Sequence, residues 1–208
     1  MLYPDKLINV QVGLSLYMPD PELVKPVYEE MLAKDATTPF PFWARIWPSA
    51  IAITAFLKTE TNWIEGKRVL ELGAGIGLPS FVMAGYAAEL IISDHANEAV
   101  RLIEKNIHYT GLQHVKAMQL DWNDFPDDIT AEILLLSDIN YADDQFEPLL
   151  ILIRKFLEQG STILLSTPHR INVNPFVTAL QPFIQRSVLQ TVEHMNQLID
   201  IRILILSF

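Results

Sequence analysis

The sequence predicts an α/β fold: a doubly wound, mostly parallel sheet with helices on both faces. Three observations predict it. Short apolar runs alternate with helical patterns from Lys67 onward. A glycine-rich turn, Gly73-Ala74-Gly75-Ile76-Gly77, joins the first of these runs to the helical pattern after it. A later run, Ala131-Glu132-Ile133-Leu134-Leu135-Leu136-Ser137, is almost continuously apolar, as in a strand covered on both faces.

The elements follow in order. Leu7 to Tyr17 alternates loosely and reads as a strand of an N-terminal hairpin or as an arm, ended by Pro19 and Pro21. Pro21 to Lys34 carries Val24, Val27, Tyr28, Met31 and Leu32 at helical spacing, although Pro26 restricts where a regular helix begins. A loop to Pro41 closes an expected N-terminal extension, residues 1–41, that packs on a main domain, residues 42–208. Trp43 and Trp47 flank Arg45 where the domain begins, and both tryptophans suit packing between extension and domain. Pro48 suits a first helical turn, with Ala50, Ile53 and Leu57 as the buried face.

Lys67 to Leu72 reads as a buried strand, Leu78 to Ala88 as a helix, and Glu89 to Ser93 as a strand ending on Asp94. Such a βαβ unit sets its strands parallel. Asn97 to Tyr109 is an amphipathic helix stopped by Gly111. Strands are expected at 114–120, 131–137 and 161–166, and helices at 148–158 and within 173–182. Arg186 to Val192 and Ile199 to Ser207 close the chain as strands. The segment from Glu193 to Leu198 is too short for a helical crossover, so these two are antiparallel.

The glycine turn indicates a ligand. Glycines let the backbone turn tightly and approach a bound molecule, and Asp94, 21 residues after Gly73, is placed to accept from ribose hydroxyls. The pattern is Glu71-x-Gly73-x-Gly75-x-Gly77, which differs from the G-x-G-x-x-G of dinucleotide sites. A carboxylate at Glu71 is unfavourable beside a pyrophosphate and favourable beside a cationic cofactor with an amino-acid end. S-adenosylmethionine has that character, with a sulfonium, an ammonium and a ribose for Asp94.

Composition narrows the partners. The net charge of −10 disfavours gripping nucleic-acid phosphates and favours a basic partner. No run of 18 uncharged apolar residues occurs, so no membrane span is expected. The first residues lack the pattern of a signal peptide. There is no cysteine, which excludes disulfides and thiolate zinc sites and fits a cytoplasmic location. The five histidines are scattered without metal-ligand spacing.

From about Phe42 to its end the chain resembles the seven-β-strand methyltransferases, and within them methyltransferase family 16, which includes protein lysine methyltransferases. Four separated segments carry the resemblance: Trp47-Pro48-Ser49-Ala50; Leu70 to Pro79 across the glycine turn; Asp121-Trp122; and Ser137-Asp138-Ile139-Asn140-Tyr141, which fits a D-x-x-Y pattern. The resemblance implies a Rossmann-like sheet of order 3-2-1-4-5-7-6 with the last strand antiparallel. It also implies cofactor contacts: Trp47 near the methionine end, Gly73 and Gly75 along its path with Glu71 close, Asp94 on the ribose, Trp122 against adenine, and Ser137 at the cofactor's edge.

The expected activity is S-adenosylmethionine-dependent N-methylation of a protein lysine. Asp138 is expected to receive and orient the amine, Tyr141 to contact the alkyl stem or the forming cation, and Asn140 to add a hydrogen bond. Two alternatives stand beside this: methylation of a small nitrogen compound of nicotinamide type, and a non-catalytic S-adenosylmethionine-binding module. The D-x-x-Y loop lacks the paired prolines of enzymes that methylate amino groups of nucleic acids, so no nucleic-acid substrate is expected. A monomer is the expected state.

Overall fold

The structure, a computed structural model, describes residues 3–139, 145–168 and 175–208. Its centre is β3 (Arg68–Leu72), whose residues alternate between two cores. Val69 joins a core beneath α2 (Pro48–Thr59), α3 (Leu78–Met83) and α4 (Asn97–Thr110). Leu70 and Leu72 join the opposite core, beneath α5 (Phe146–Glu158) and α6 (Pro175–Leu180). Successive side chains of a strand point to opposite faces, so a strand buried on both sides reads as a continuous apolar run.

β3 pairs in parallel with β4 (Glu89–Asp94) on one side and with β6 (Ile133–Ser137) on the other. β5 (Val115–Gln119) extends the sheet beyond β4, and β7 (Thr162–Pro168) extends it beyond β6. β9 (Gln197–Leu206) lies antiparallel between β7 and β8 (Ile184–His194). The order is β5-β4-β3-β6-β7-β9-β8, which is 3-2-1-4-5-7-6 when the strands of this sheet alone are numbered. β8 and β9 meet in a two-residue turn with Met195 and Asn196 at φ 51° and 60°. That left-handed pair matches the twist of a tight hairpin.

The N-terminal residues fold as an antiparallel hairpin, β1 (Asp5–Gln11) and β2 (Leu14–Pro19), followed by α1 (Pro21–Lys34). The helix runs through Pro26 and is capped by Asp20, whose carboxylate accepts from Glu22 N at 3.1 Å. The hairpin is fastened to α4. Asn106, fully buried, accepts from Tyr17 N at 2.7 Å and donates to Tyr17 O at 3.0 Å. Lys105 pairs with Asp5 at 2.8 Å and lies over the Tyr17 ring.

Several boundaries differ from the sequence reading: Leu7 to Tyr17 spans both strands of the hairpin, β8 and β9 each begin two residues before the expected start, and two helix boundaries move. The helix expected to Ala88 ends at Met83, because Gly85 and Tyr86 turn the chain back and Ala88 N donates to Lys67 O at 2.9 Å to start β4. The helix expected from Pro148 begins two residues earlier, at Phe146. Among the described residues no helix is long and apolar enough to cross a membrane.

Candidate functional site

The carboxyl ends of β3, β4 and β6 open into a cleft of about 520 Å³. Its floor is the glycine turn. Gly73, Gly75 and Gly77 all adopt positive φ, between 56° and 75°. Gly75 has a second reason to lack a side chain: a Cβ there would lie 3.1 Å from the Trp43 carbonyl oxygen. A Cβ on Gly73 would meet Ile139 at 3.0 Å and the Trp122 ring at 3.4 Å. The turn therefore brings backbone against both walls of the cleft.

Asp94, at the tip of β4, ties this floor together. Its Oδ2 accepts from Gly75 N at 2.8 Å, and its Oδ1 accepts from Ala96 N at 2.9 Å. The adjacent Ala74 N donates to Ser93 O at 2.9 Å. Burial raises the Asp94 pKa, while the backbone donors and the neighbouring His95 ring, 3.4 Å away, favour its charged form. The carboxylate thus holds the turn, and each oxygen keeps a lone pair for a ligand in the cleft.

Glu71 has a different place from the one expected. It lies on the Val69 side of β3, fully buried behind the turn, and does not line the cleft. Its Oε2 accepts from Ser80 N at 3.2 Å in the first turns of α3. Burial pushes its pKa up to about 7. The reason is strand periodicity: Glu71 and Val69 share a face, and that face is covered by α3.

The remaining cofactor candidates line the cleft: Trp47, Gly73, Gly75, Trp122 and Ser137. The Trp122 indole is held by Nε1 donating to Gln145 at 2.8 Å, with the His95 ring 6.2 Å away. The Trp47 Nε1 donates to Phe42 O at 2.8 Å, which fixes the indole at the cleft. Ser137 Oγ is buried and has no hydrogen-bond partner among the described residues.

Asp138 follows β6 and also lines the cleft. It is one of the non-glycine residues with positive φ, at 57°. Its N–H donates to Ser166 O at 3.0 Å, which continues the β6–β7 pairing by one bond. The left-handed residue then turns the chain off the sheet edge. Aspartate tolerates this conformation better than most residues. Asn140 and Tyr141 lie outside the described residues.

Sequence reasoning missed the other wall. Tyr3, Met31, Thr38 and Phe40 reach the cleft from the N-terminal segment, together with Arg45 and Ile46. Tyr3 stacks edge-on against Trp43 at 5.7 Å, which carries the chain start over to the glycine turn. Arg45 had a signal, a lone cation between two tryptophans. Tyr3 had none, because its contact depends on a hairpin fastened to a helix about 100 residues later.

The donor set fits S-adenosylmethionine. Asp94 offers a carboxylate at the tip of β4, Trp122 offers a ring, and Asp94, Glu98 and Asp138 supply negative charge to the lining. A pyrophosphate would find those three acids against one arginine, Arg45, among the described lining residues. A sheet of this order with a glycine turn and an acid at adjacent strand tips defines a Rossmann-like, S-adenosylmethionine-dependent methyltransferase. More narrowly, the chain belongs to the lysine methyltransferase family, whose profile matches residues 34–183.

Among relatives, the human histone-arginine methyltransferase METTL23 is 26% identical over 132 residues, covering 61% of this chain and 70% of that protein. The calmodulin-lysine N-methyltransferase of Arabidopsis thaliana is 33% identical over 135 residues, covering 60% of this chain and 44% of the plant protein. The matched stretch thus spans less than half of the plant relative. Among solved structures, the N-methyltransferase NodS of Bradyrhizobium japonicum, bound to S-adenosyl-L-homocysteine, superposes with a TM-score of 0.61. It is 14% identical, with 86% of this chain and 97% of NodS covered, and so matches in fold.

Proposed function

We propose that this chain methylates the side-chain amine of a lysine in a protein substrate, with S-adenosylmethionine as donor. The observation that carries this reading is the placement of Asp138 in the same cleft as Asp94 and the glycine turn. When bound, S-adenosylmethionine supplies an electrophilic methyl group on a sulfonium. Trp47, Gly73, Gly75, Asp94, Trp122 and Ser137 would hold it. The family membership and the lysine named for the plant relative support the choice of acceptor.

The residues do four things. The glycine floor and the aromatic walls exclude water, so that the acceptor is oriented rather than solvated. Apolar surface disfavours a charged amine, whose ordinary pKa is about 10.4, and brings the neutral nucleophile within reach of neutral pH. Asp138 accepts an N–H of the amine and sets the direction of its lone pair. The same carboxylate offsets the positive charge that forms on the nitrogen.

The test is incubation of the protein with labelled S-adenosylmethionine and a cell lysate, followed by mass spectrometry of the labelled products. Label in methyl-lysine of protein supports the reading. Label confined to methyl-arginine or to small molecules overturns it, as does no label above an Asp138→Asn control.

A further inference from the structure

The most exposed wall of the cleft carries a cation that the mechanism does not use. Arg45 lines the cleft, and its guanidinium lies 5.0 Å from the centre of the Trp47 ring and 5.7 Å from that of Phe40. These rings belong to one cluster: Phe40 packs on Phe42 at 4.9 Å, and Phe42 on Trp47 at 6.1 Å. Among the described residues no carboxylate pairs with Arg45, and none of its N–H groups has a hydrogen-bond acceptor. The other side-chain ion pairs of the surface show what such a residue ordinarily does. Arg186, for example, makes two bonds of 2.6 and 2.8 Å to Glu60.

Two ring faces attract the charge of Arg45 but accept little from its five donors. They hold the guanidinium at the cleft and leave its N–H groups without an acceptor among the described residues. A planar fork held in this way matches a carboxylate in bidentate geometry. The protein as a whole carries net charge −10, so it repels acidic ligands at long range. Arg45, the one lysine or arginine among the described lining residues, therefore acts as a local reader of negative charge.

We propose that Arg45 is a specificity-determining residue that receives a carboxylate of the methyl acceptor, so that the preferred lysine has an aspartate or glutamate beside it in sequence. This rests on the lysine reading above. It also narrows the partner expected from net charge alone. A basic surface is drawn to the protein, and within it an amine next to an acid is chosen.

A carboxylate can come from two sources, the acceptor or the methionyl end of the cofactor, and the experiment separates them. The probes are paired synthetic peptides with a single lysine flanked by glutamates or by glutamines, and S-adenosylhomocysteine. Wild-type protein, Arg45→Gln and Arg45→Lys are compared. The expected result is a preference for the glutamate peptide that falls about ten- to a hundredfold in Arg45→Gln, the range for a hydrogen-bonded charge. Arg45→Lys recovers part of it, because it keeps the charge and loses the fork.

Equal use of both peptides by wild type overturns the proposal while leaving the lysine reading in place. A preference that persists in Arg45→Gln does the same. A weaker affinity of Arg45→Gln for S-adenosylhomocysteine by calorimetry assigns the guanidinium to the methionyl carboxylate and also overturns it. Methylation of neither peptide by wild type, where the lysate assay yields no methyl-lysine, ends both readings together. Methylation of neither peptide, where the lysate assay does yield methyl-lysine, overturns acid-directed choice of short sequences.

Discussion

At the scale of single residues, Asp94 and Asp138 are both cleft acids held by backbone, yet their backbone settings differ. Asp94 secures Gly75 N and Ala96 N and also lines the cleft. Asp94→Ala should therefore weaken S-adenosylhomocysteine binding by at least about tenfold, since a hydrogen bond to a charged group is worth about 1.5–3 kcal/mol, and should also lower the melting temperature. Calorimetry giving an unchanged dissociation constant would remove Asp94 from the site. Asp138 has a backbone demand instead. At φ 57°, alanine is strained by about 1–2 kcal/mol, whereas asparagine and glycine are tolerated. Asp138→Asn is thus the clean comparison. It should fold like wild type, bind S-adenosylhomocysteine, and lose about 10²- to 10⁴-fold in single-turnover methylation. Parallel loss of cofactor affinity would place Asp138 in the cofactor site rather than at the acceptor.

At the scale of elements, the glycine turn is a junction between β3, β4 and the segment around Trp43. Gly75→Ala combines a left-handed φ with a Cβ 3.1 Å from a backbone oxygen that has no side-chain freedom to move away. Its expected effect is loss of stability by about 2 kcal/mol or more in urea titrations, accompanied by loss of cofactor binding. A variant as stable as wild type would mean that the Trp43 segment is free to shift. The turn, its acid and the strands around it were legible in sequence because they are local: glycine spacing, period-2 and period-3.6 patterns, and an acid at a strand end. Glu71 was legible as a motif residue, but its direction was not. A strand buried on both faces has no polar side by which to tell which residues face a ligand, and here Glu71 faces α3. The N-terminal wall of the cleft was not legible, since Tyr3 reaches it beside a hairpin fastened by Asn106 and Lys105 far along the chain.

At the scale of the whole molecule, the buried Glu71 couples folding to pH. Its pKa rises from 4.5 to about 7 on folding. Between these values the unfolded chain has released the proton and the folded chain still holds it, so the native state binds more protons. Stability therefore falls as pH rises through this window, and the penalty is fully present above about 7. Over the full window this amounts to about 3 kcal/mol. Glu71→Gln should accordingly be more stable than wild type at pH 8 by up to that amount, with the difference vanishing near pH 4.5. Denaturation curves at the two pH values test this, and a difference independent of pH would mean that Glu71 stays ionised when folded.

The position of β9 has a consequence for how the chain is made. β9 is synthesised after the other described strands of its sheet, yet it lies inside the sheet, between β7 and β8. Until it emerges from the ribosome, β7 presents an open edge carrying Ile163, Leu164 and Leu165, and β8 has no neighbour. The tight Met195-Asn196 turn lets β8 and β9 zip together first and then dock as a pair on β7. During that interval the nascent protein exposes a sticky, unpaired strand, the feature that chaperones recognise and that leads to aggregation when folding is slow. A chain truncated within β9 would be left in that state permanently.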